Sequence, residues 1–217
     1  MSDLSRKRSV ASMPLTRVPF IVGLGGTTRV GSSSELVLRH ALAAAAALGA
    51  QTQLFGGADL LLPIYDPGTS ERVAGARILI DALRRADGII IASPGYHGSL
   101  SGLVKNAIDY VEDMRQDVAP YFEGRAVGCI ACALGNQATG ATLNALRSIV
   151  HALRGWPTPL GVAINTTETV FSEDGSLADF EIACQLKILA QQVVEFAGRQ
   201  GSGYERVQRT LASVSAN

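Results

Sequence analysis

Short apolar blocks alternate along this chain with stretches of helical spacing, and that alternation predicts the fold class. Val18 to Gly23 is an apolar run ending in glycines, and Ser32 to Leu48 follows with Leu38, Ala41 and Leu42 on one face, which gives strand, loop, helix. Ser32 and Glu35 stand at capping-box spacing, which starts this helix at the end of the glycine loop. Gln51 to Phe55 predicts a second strand and Glu71 to Arg85 a second helix. Ala86 to Ser93, containing Gly88-Ile89-Ile90-Ile91-Ala92, is apolar at successive positions, as in a strand buried on both faces. Leu103, Val104, Ala107, Ile108 and Val111 mark a third helix, and Arg125 to Ala133 another strand. Thr139 to Arg154 predicts a helix with the stripe Leu143, Leu146, Val150 and Leu153, stopped by Gly155 and Pro157. Leu160 to Ile164 is the fifth strand, and Ser176 to Ala197 the last helix. Five strands alternating with helices predict an α/β architecture, a doubly wound five-stranded parallel sheet with helices on both faces. The expected domain covers residues 17–200, with residues 1–16 and 201–217 expected as poorly ordered tails.

Composition narrows the class of partner. With 47% hydrophobic and 18% charged residues the chain has material for a large core. Nineteen Lys plus Arg balance nineteen Asp plus Glu, so no net field draws it to nucleic acid or to an anionic membrane, and a small molecule is the expected partner. The longest charge-free run, Ala126 to Leu146, is broken by Gly128, Gly135, Asn136, Gln137 and Gly140, which argues against a membrane span. Arg6, Lys7 and Arg8 lead into no uninterrupted apolar stretch, so no signal peptide is expected and the address is cytoplasmic. His40, His97 and His151 are scattered without ligand spacing, and no metal is expected. Cys129 and Cys132 have dithiol spacing, yet on a strand they point to opposite faces, which makes them core residues.

Doubly wound sheets bind ligands at the carboxyl ends of their strands, so the loops after the first, third and fourth strands carry the chemistry. The first, Gly23 to Ser34, lacks the glycine that a dinucleotide fingerprint needs at Thr28 and the Gly-Lys of a P-loop. What it offers is glycine backbone, the hydroxyls of Thr27, Ser32 and Ser34, the cation Arg29 and a helix start, a mononucleotide phosphate site in outline. The second, Ser93 to Gly102, has Pro94 to hold Ser93 extended, Gly95 and Gly98 for close backbone approach, and Tyr96 and His97 as neighbours for a flat ring. The third, Leu134 to Gly140, supplies small residues and amides, Gly135 and Asn136 among them.

At these residues the sequence resembles the NAD(P)H-dependent FMN reductase family of flavodoxin-like proteins. That family's phosphate loop, Gly-Ser-x-Arg-x-x-Ser-x-Asn, reads here Gly26-Thr27-Thr28-Arg29-Val30-Gly31-Ser32-Ser33-Ser34. Its Pro-x-Tyr-x-Gly-Ser motif, followed by Leu-Lys-Asn-x-Ile-Asp, matches Pro94 to Ser99 and then Leu103-Val104-Lys105-Asn106-Ala107-Ile108-Asp109, with Gly95 in place of a usual glutamate and His97 of a usual asparagine. Leu62 to Pro67 and Phe171 to Gly175 are also similar to segments of these proteins. The resemblance covers Val18 to Gly198. It implies a flavodoxin-like fold and FMN held by Thr27, Arg29, Ser32, Ser34, Pro94, Gly95, Tyr96, His97, Gly98, Ser99, Gly135 and Asn136. It further implies NADPH or NADH as reductant, hydride passing from nicotinamide to flavin with no obligatory catalytic side chain, and a second acceptor such as free FMN. Backbone N–H groups around Gly98 and Ser99, or Gly135 and Asn136, would face the charge that develops near flavin N1. The alternatives are reduction of quinones or azo compounds by the same flavin, and a flavodoxin-like electron carrier without a nicotinamide site. A homodimer or homotetramer is expected, with the Leu143 to Leu153 stripe and Trp156 as candidate contacts. Trp156 is otherwise a lid or a packed loop aromatic, His97 a ring neighbour or a solvated histidine, and Tyr65 a neighbour of flavin or of a partner subunit.

Overall fold

A central parallel sheet orders this molecule, seen in a computed structural model that describes residues 17–167, 171–172 and 175–214, the stretch from 200 onward as backbone only. The expected tail at residues 1–16 lies outside the described residues. In chain order the elements are β1 (Phe20–Gly25), α1 (Ser33–Ala47), β2 (Gln51–Gly56), α2 (Ala74–Arg85), β3 (Gly88–Tyr96), β4 (Ser99–Leu100), α3 (Gly102–Asp109), β5 (Ala126–Ala133), α4 (Asn136–Ala152), β6 (Trp156–Pro157), β7 (Val162–Asn165) and α5 (Phe180–Val214). The sheet runs β2-β1-β3-β5, and its far edge is made of two pieces: β6 pairs with Ala126 and Val127, β7 with Ile130 to Ala133. The expected fifth strand, Leu160 to Ile164, is β7, and β6 is an extra piece that completes this edge. Both pieces and the other core strands are parallel, and only β4 is antiparallel.

Strand alternation sends side chains into two separate cores. Val22, Leu24, Ile89, Ile91, Val127 and Cys129 pack with α2, α3 and α4 on one face. Ile21, Ile90, Ile130, Cys132, Val162 and Ile164 pack with α1 and α5 on the other. Cys129 and Cys132 thus fall on opposite faces, as their spacing expects. On the second face a side chain at Gly128 would sit 2.5 Å from Leu189 of α5, so that helix lies almost directly on the strand. The stripe on α4 points inward, with Leu146 and Val150 fully buried and Leu143 and Leu153 packed behind them, which removes it as a subunit contact.

Several element ends differ from the expected ones, each for a local reason. β1 continues to Gly25 because both edges of that glycine are paired, with Gly56 and with Ala92. The segment after β3 is no open loop: β3 continues through Pro94 to Tyr96 and turns back at once into β4. His97 and Gly98 make that turn at φ 51° and 86°, the left-handed pair that a two-residue hairpin requires. α4 starts three residues early, so Asn136 to Ala138 belong to its first turn rather than to a loop. α5 starts at Phe180, where Asp179 Oδ1 accepts from the N–H groups of Glu181 and Ile182, and its backbone stays helical to Val214.

Candidate functional site

The carboxyl ends of β1, β3 and β5 open into a cleft of about 440 Å³. The turn from β1 to α1 contributes Thr27, Arg29, Ser32, Ser33 and Ser34, and the β3–β4 hairpin contributes Pro94, Gly95, Tyr96 and His97. Cys132, Ala133, Leu134, Ala138 and Thr166 complete the wall. Eight of the residues expected from sequence therefore share one cleft: Thr27, Arg29, Ser32, Ser34, Pro94, Gly95, Tyr96 and His97.

The first turn of α1 gives one end of the cleft the chemistry that suits an anion. Ser32 is its N-cap by position and backbone, but its hydroxyl accepts no hydrogen bond from the helix. The capping box expected from Ser32 and Glu35 does not form, because the Glu35 carboxylate turns to Arg39, 2.6 Å away, and not back to the cap. The first-turn amides thus carry no side-chain acceptor, at the end where the helix dipole favours negative charge. Among the described residues the buried hydroxyls of Ser32 and Ser34 meet only each other, at 3.5 Å. Thr27 Oγ1 shapes the turn, accepting from Arg29 N–H at 3.1 Å, and the Arg29 guanidinium makes no ion pair among the described residues. A donor set of amides, hydroxyls and one cation, with no carboxylate lining the cleft among the described residues, fits a phosphate monoester.

The other end suits a flat ring. Gly26 N–H bonds Ala92 O, which ties the phosphate-side turn to β3. Ser93 Oγ accepts from Ser101 N–H at 3.0 Å and donates to Pro94 O at 2.9 Å, holding the hairpin. A Cβ at Gly95 would meet Thr142 Oγ1 at 2.5 Å and Ala133 Cβ at 2.9 Å, so α4 sits where any side chain in that place would reach. Thr142 Oγ1 in turn donates to Ser99 O. Cys132 faces the same space, and burial pushes its thiol up to about 12, which keeps it neutral and unreactive.

Four expected residues do not line the cleft. Gly98 and Ser99 in the hairpin, and Gly135 and Asn136 at the start of α4, are not among the lining residues. Gly135 N–H donates to Asn165 Oδ1 at 2.9 Å, so that amide is engaged within the protein. Sequence reasoning missed Ser33, Cys132, Ala133, Leu134, Ala138 and Thr166. Trp156 pairs beside Ala126 at the start of β5, while Cys132 and Ala133 at its end line the cleft. At about 3.3 Å per residue that is roughly 20 Å away, so Trp156 is no lid; it packs on Phe196 with ring centroids 6.2 Å apart. Tyr65 lies outside the cleft as well, edge-on to Tyr110 at 5.3 Å and under the Arg72 guanidinium. That guanidinium, 2.8 Å from Asp113, holds the carboxyl below the usual carboxylate range. Among the described residues no helix is long and apolar enough to cross a membrane.

Comparison with known proteins agrees with this geometry. The family model of NADPH-dependent FMN reductase matches residues 19–169. An FMN-dependent NADPH-azoreductase of Staphylococcus aureus is 31% identical over 144 residues, 65% of this chain and 72% of its own length. Among solved structures, the flavoenzyme NAD(P)H:(acceptor) oxidoreductase FerB of Paracoccus denitrificans superposes with a TM-score of 0.67 at 18% identity, over 84% of this chain and 99% of that one. An NADH:FMN oxidoreductase in its apo form gives 0.61 at 20% identity, over 83% and 89%. The two structures establish the flavodoxin-like fold, the family model covers all three strand ends that form the cleft, and the chain therefore belongs to the NADPH-dependent FMN reductase family of nicotinamide-dependent flavin oxidoreductases.

Proposed function

We propose that FMN lies along this cleft with its phosphate at the first turn of α1 and its ring against the Pro94 to His97 hairpin, and that the enzyme passes the electrons of NADPH or NADH to a second small acceptor such as free FMN. The observation that carries this reading is the uncapped start of α1, open amides and hydroxyls beside Arg29, in the same cleft as the hairpin. When bound, FMN supplies the redox chemistry, taking two electrons from the nicotinamide and giving them to the acceptor. The chain's own part is to bind and orient. Thr27, Ser32, Ser34 and Arg29 hold the phosphate, while Pro94, Gly95, Tyr96, Ala133 and Leu134 give a mostly apolar wall that leaves one ring face free for nicotinamide and acceptor in turn.

A second reading, reduction of an azo compound or quinone by the same flavin, is favoured by the azoreductase named above. A passive carrier without a nicotinamide site is disfavoured by the family itself. We further assign the protein to the cytoplasm and to a homodimer or homotetramer. The exposed apolar side chains Val30, Ile64, Tyr96 and Leu134, on four different connections at this end of the sheet, support the oligomer. Titration of the purified protein with FMN, FAD and riboflavin is the test, followed by NADPH and NADH oxidation with and without acceptor. FMN binds more tightly than FAD, because a phosphate seated on a helix start has little room for an adenylate. Equal affinities, or no flavin binding, overturn the reading.

A further inference from the structure

His97 lines the cleft from the β3–β4 hairpin. It opens the two-residue turn between β3 and β4 at φ 51°, a left-handed conformation that histidine and asparagine both adopt more readily than most residues. The turn thus carries an ionisable ring in a conformation that suits it. That ring lines the cleft, is exposed, and makes no hydrogen bond or ion pair among the described residues. The other ionisable groups lining the cleft are Arg29 on the β1–α1 turn, Tyr96 on the hairpin and Cys132 at the end of β5, with no carboxylate among the described residues. Arginine does not release its proton, and burial raises the Cys132 thiol to about 12. Of these residue types, imidazole is the one that exchanges protons near neutral pH.

We propose that His97 is the proton donor to the second acceptor, and that this acceptor is one whose reduced form gains a proton with its electrons, such as a quinone. The proposal rests on the reading of the cleft as the flavin site. A quinone that has received the electron pair of NADPH as hydride is a hydroquinone monoanion. The N–H of the His97 imidazolium breaks as the O–H of the product forms, and the neutral imidazole left behind takes its next proton from water. In sum, NADPH, one proton and the quinone become NADP⁺ and the hydroquinone, and His97 ends as it began.

The test compares the wild type with His97→Asn, which keeps a residue suited to the left-handed turn and removes the proton. Both are assayed with NADPH against a water-soluble benzoquinone and against ferricyanide, which takes single electrons and no proton. The expected result is a fall of about a hundred-fold in the ratio of quinone to ferricyanide turnover, the size typical of a lost general acid. The alkaline decline of quinone turnover in the wild type is lost with it. A readout without turnover is the ¹⁵N-histidine spectrum of the oxidised protein, in which added hydroquinone shifts the titration midpoint of the His97 ring, assigned by its absence from the variant. An unchanged ratio, or a His97 titration indifferent to hydroquinone, overturns the proposal. A wild type that oxidises NADPH with neither acceptor overturns the flavin reading instead.

Discussion

The two ends of the sheet hold cavities of similar size and opposite character. At the amino ends of β1, β3 and β5 lies the larger one, about 530 Å³, lined by Arg17, Arg84, Arg85 and Arg125 with Asp87 and Glu123. Its cations are committed to the protein. Arg125 donates to the carbonyls of Ala86, Tyr121 and Arg84 at 2.8–2.9 Å, Arg84 meets Asp117 at 2.8 Å, Arg17 meets Asp87 at 3.4 Å, and Arg85 lies over the Phe20 ring. At the carboxyl ends the smaller cleft keeps an uncapped helix start and an Arg29 guanidinium that pairs with nothing among the described residues. Hydrogen-bonding capacity left open, not volume, separates a ligand site from a packing gap.

Four substitutions sharpen or break that contrast. The largest effect belongs to the closed end. Arg125→Met strands the buried Ala86 carbonyl, at about 1–3 kcal/mol for a buried group, together with the part-buried carbonyls of Tyr121 and Arg84, and lowers stability to urea by about 2–5 kcal/mol while FMN affinity of the folded protein holds. At the open end Arg29→Ala leaves the urea midpoint in place and weakens FMN about ten- to a hundred-fold, the equivalent of roughly 1.5–3 kcal/mol for a charge-assisted bond. Riboflavin, which has no phosphate, binds this variant as it binds the wild type; an equal loss for both ligands breaks the assignment. Gly95→Ala drives a methyl group into Thr142 and Ala133, so urea unfolding registers about 1–3 kcal/mol of overpacking and riboflavin and FMN weaken together. The smallest effect overall is that of Ser32→Ala. A working N-cap costs about 1 kcal/mol to remove, whereas this idle one changes stability by less than about 0.5 kcal/mol and shows itself in weaker FMN binding alone. A full cap-sized loss of stability without ligand would mean that the first turn is closed after all.

The order of strands and helices was legible because burial on both faces of a parallel sheet leaves runs such as Ile89-Ile90-Ile91, and stripes such as Leu186, Leu189 and Val193 on α5. Element ends were less so, since they depend on what lies alongside. Gly25 reads as loop until it is paired on both sides, and Pro94 reads as a break although it pairs in register with Cys132. In the cleft, Thr27, Arg29, Ser32, Ser34 and Pro94 to His97 were legible from residue type in glycine-rich segments. Cys132, Ala133 and Thr166 are ordinary residues that reach the cleft only because β5 and β7 end there; the usable signal was topological, namely that the last residues of each central strand border the crevice. The idle Ser32 cap was misread because capping-box spacing does not reveal that Arg39 competes for Glu35.

The split far edge of the sheet bears on how this protein behaves when crowded. An unbroken edge strand is a template on which another chain can extend the sheet and start an aggregate. Here β6 and β7 are a few residues long, and Pro157 and Pro159 withhold two amides from the edge. The backbone between the two pieces is occupied from within the molecule: Arg147 of α4 donates to Thr158 O at 2.7 Å, the Thr158 hydroxyl to Leu160 O, and Leu160 N–H to Gln192 of α5. A neighbouring chain finds only two short pieces with the backbone between them engaged, too little length to add a strand, so concentrated protein is guarded there against growth into fibres.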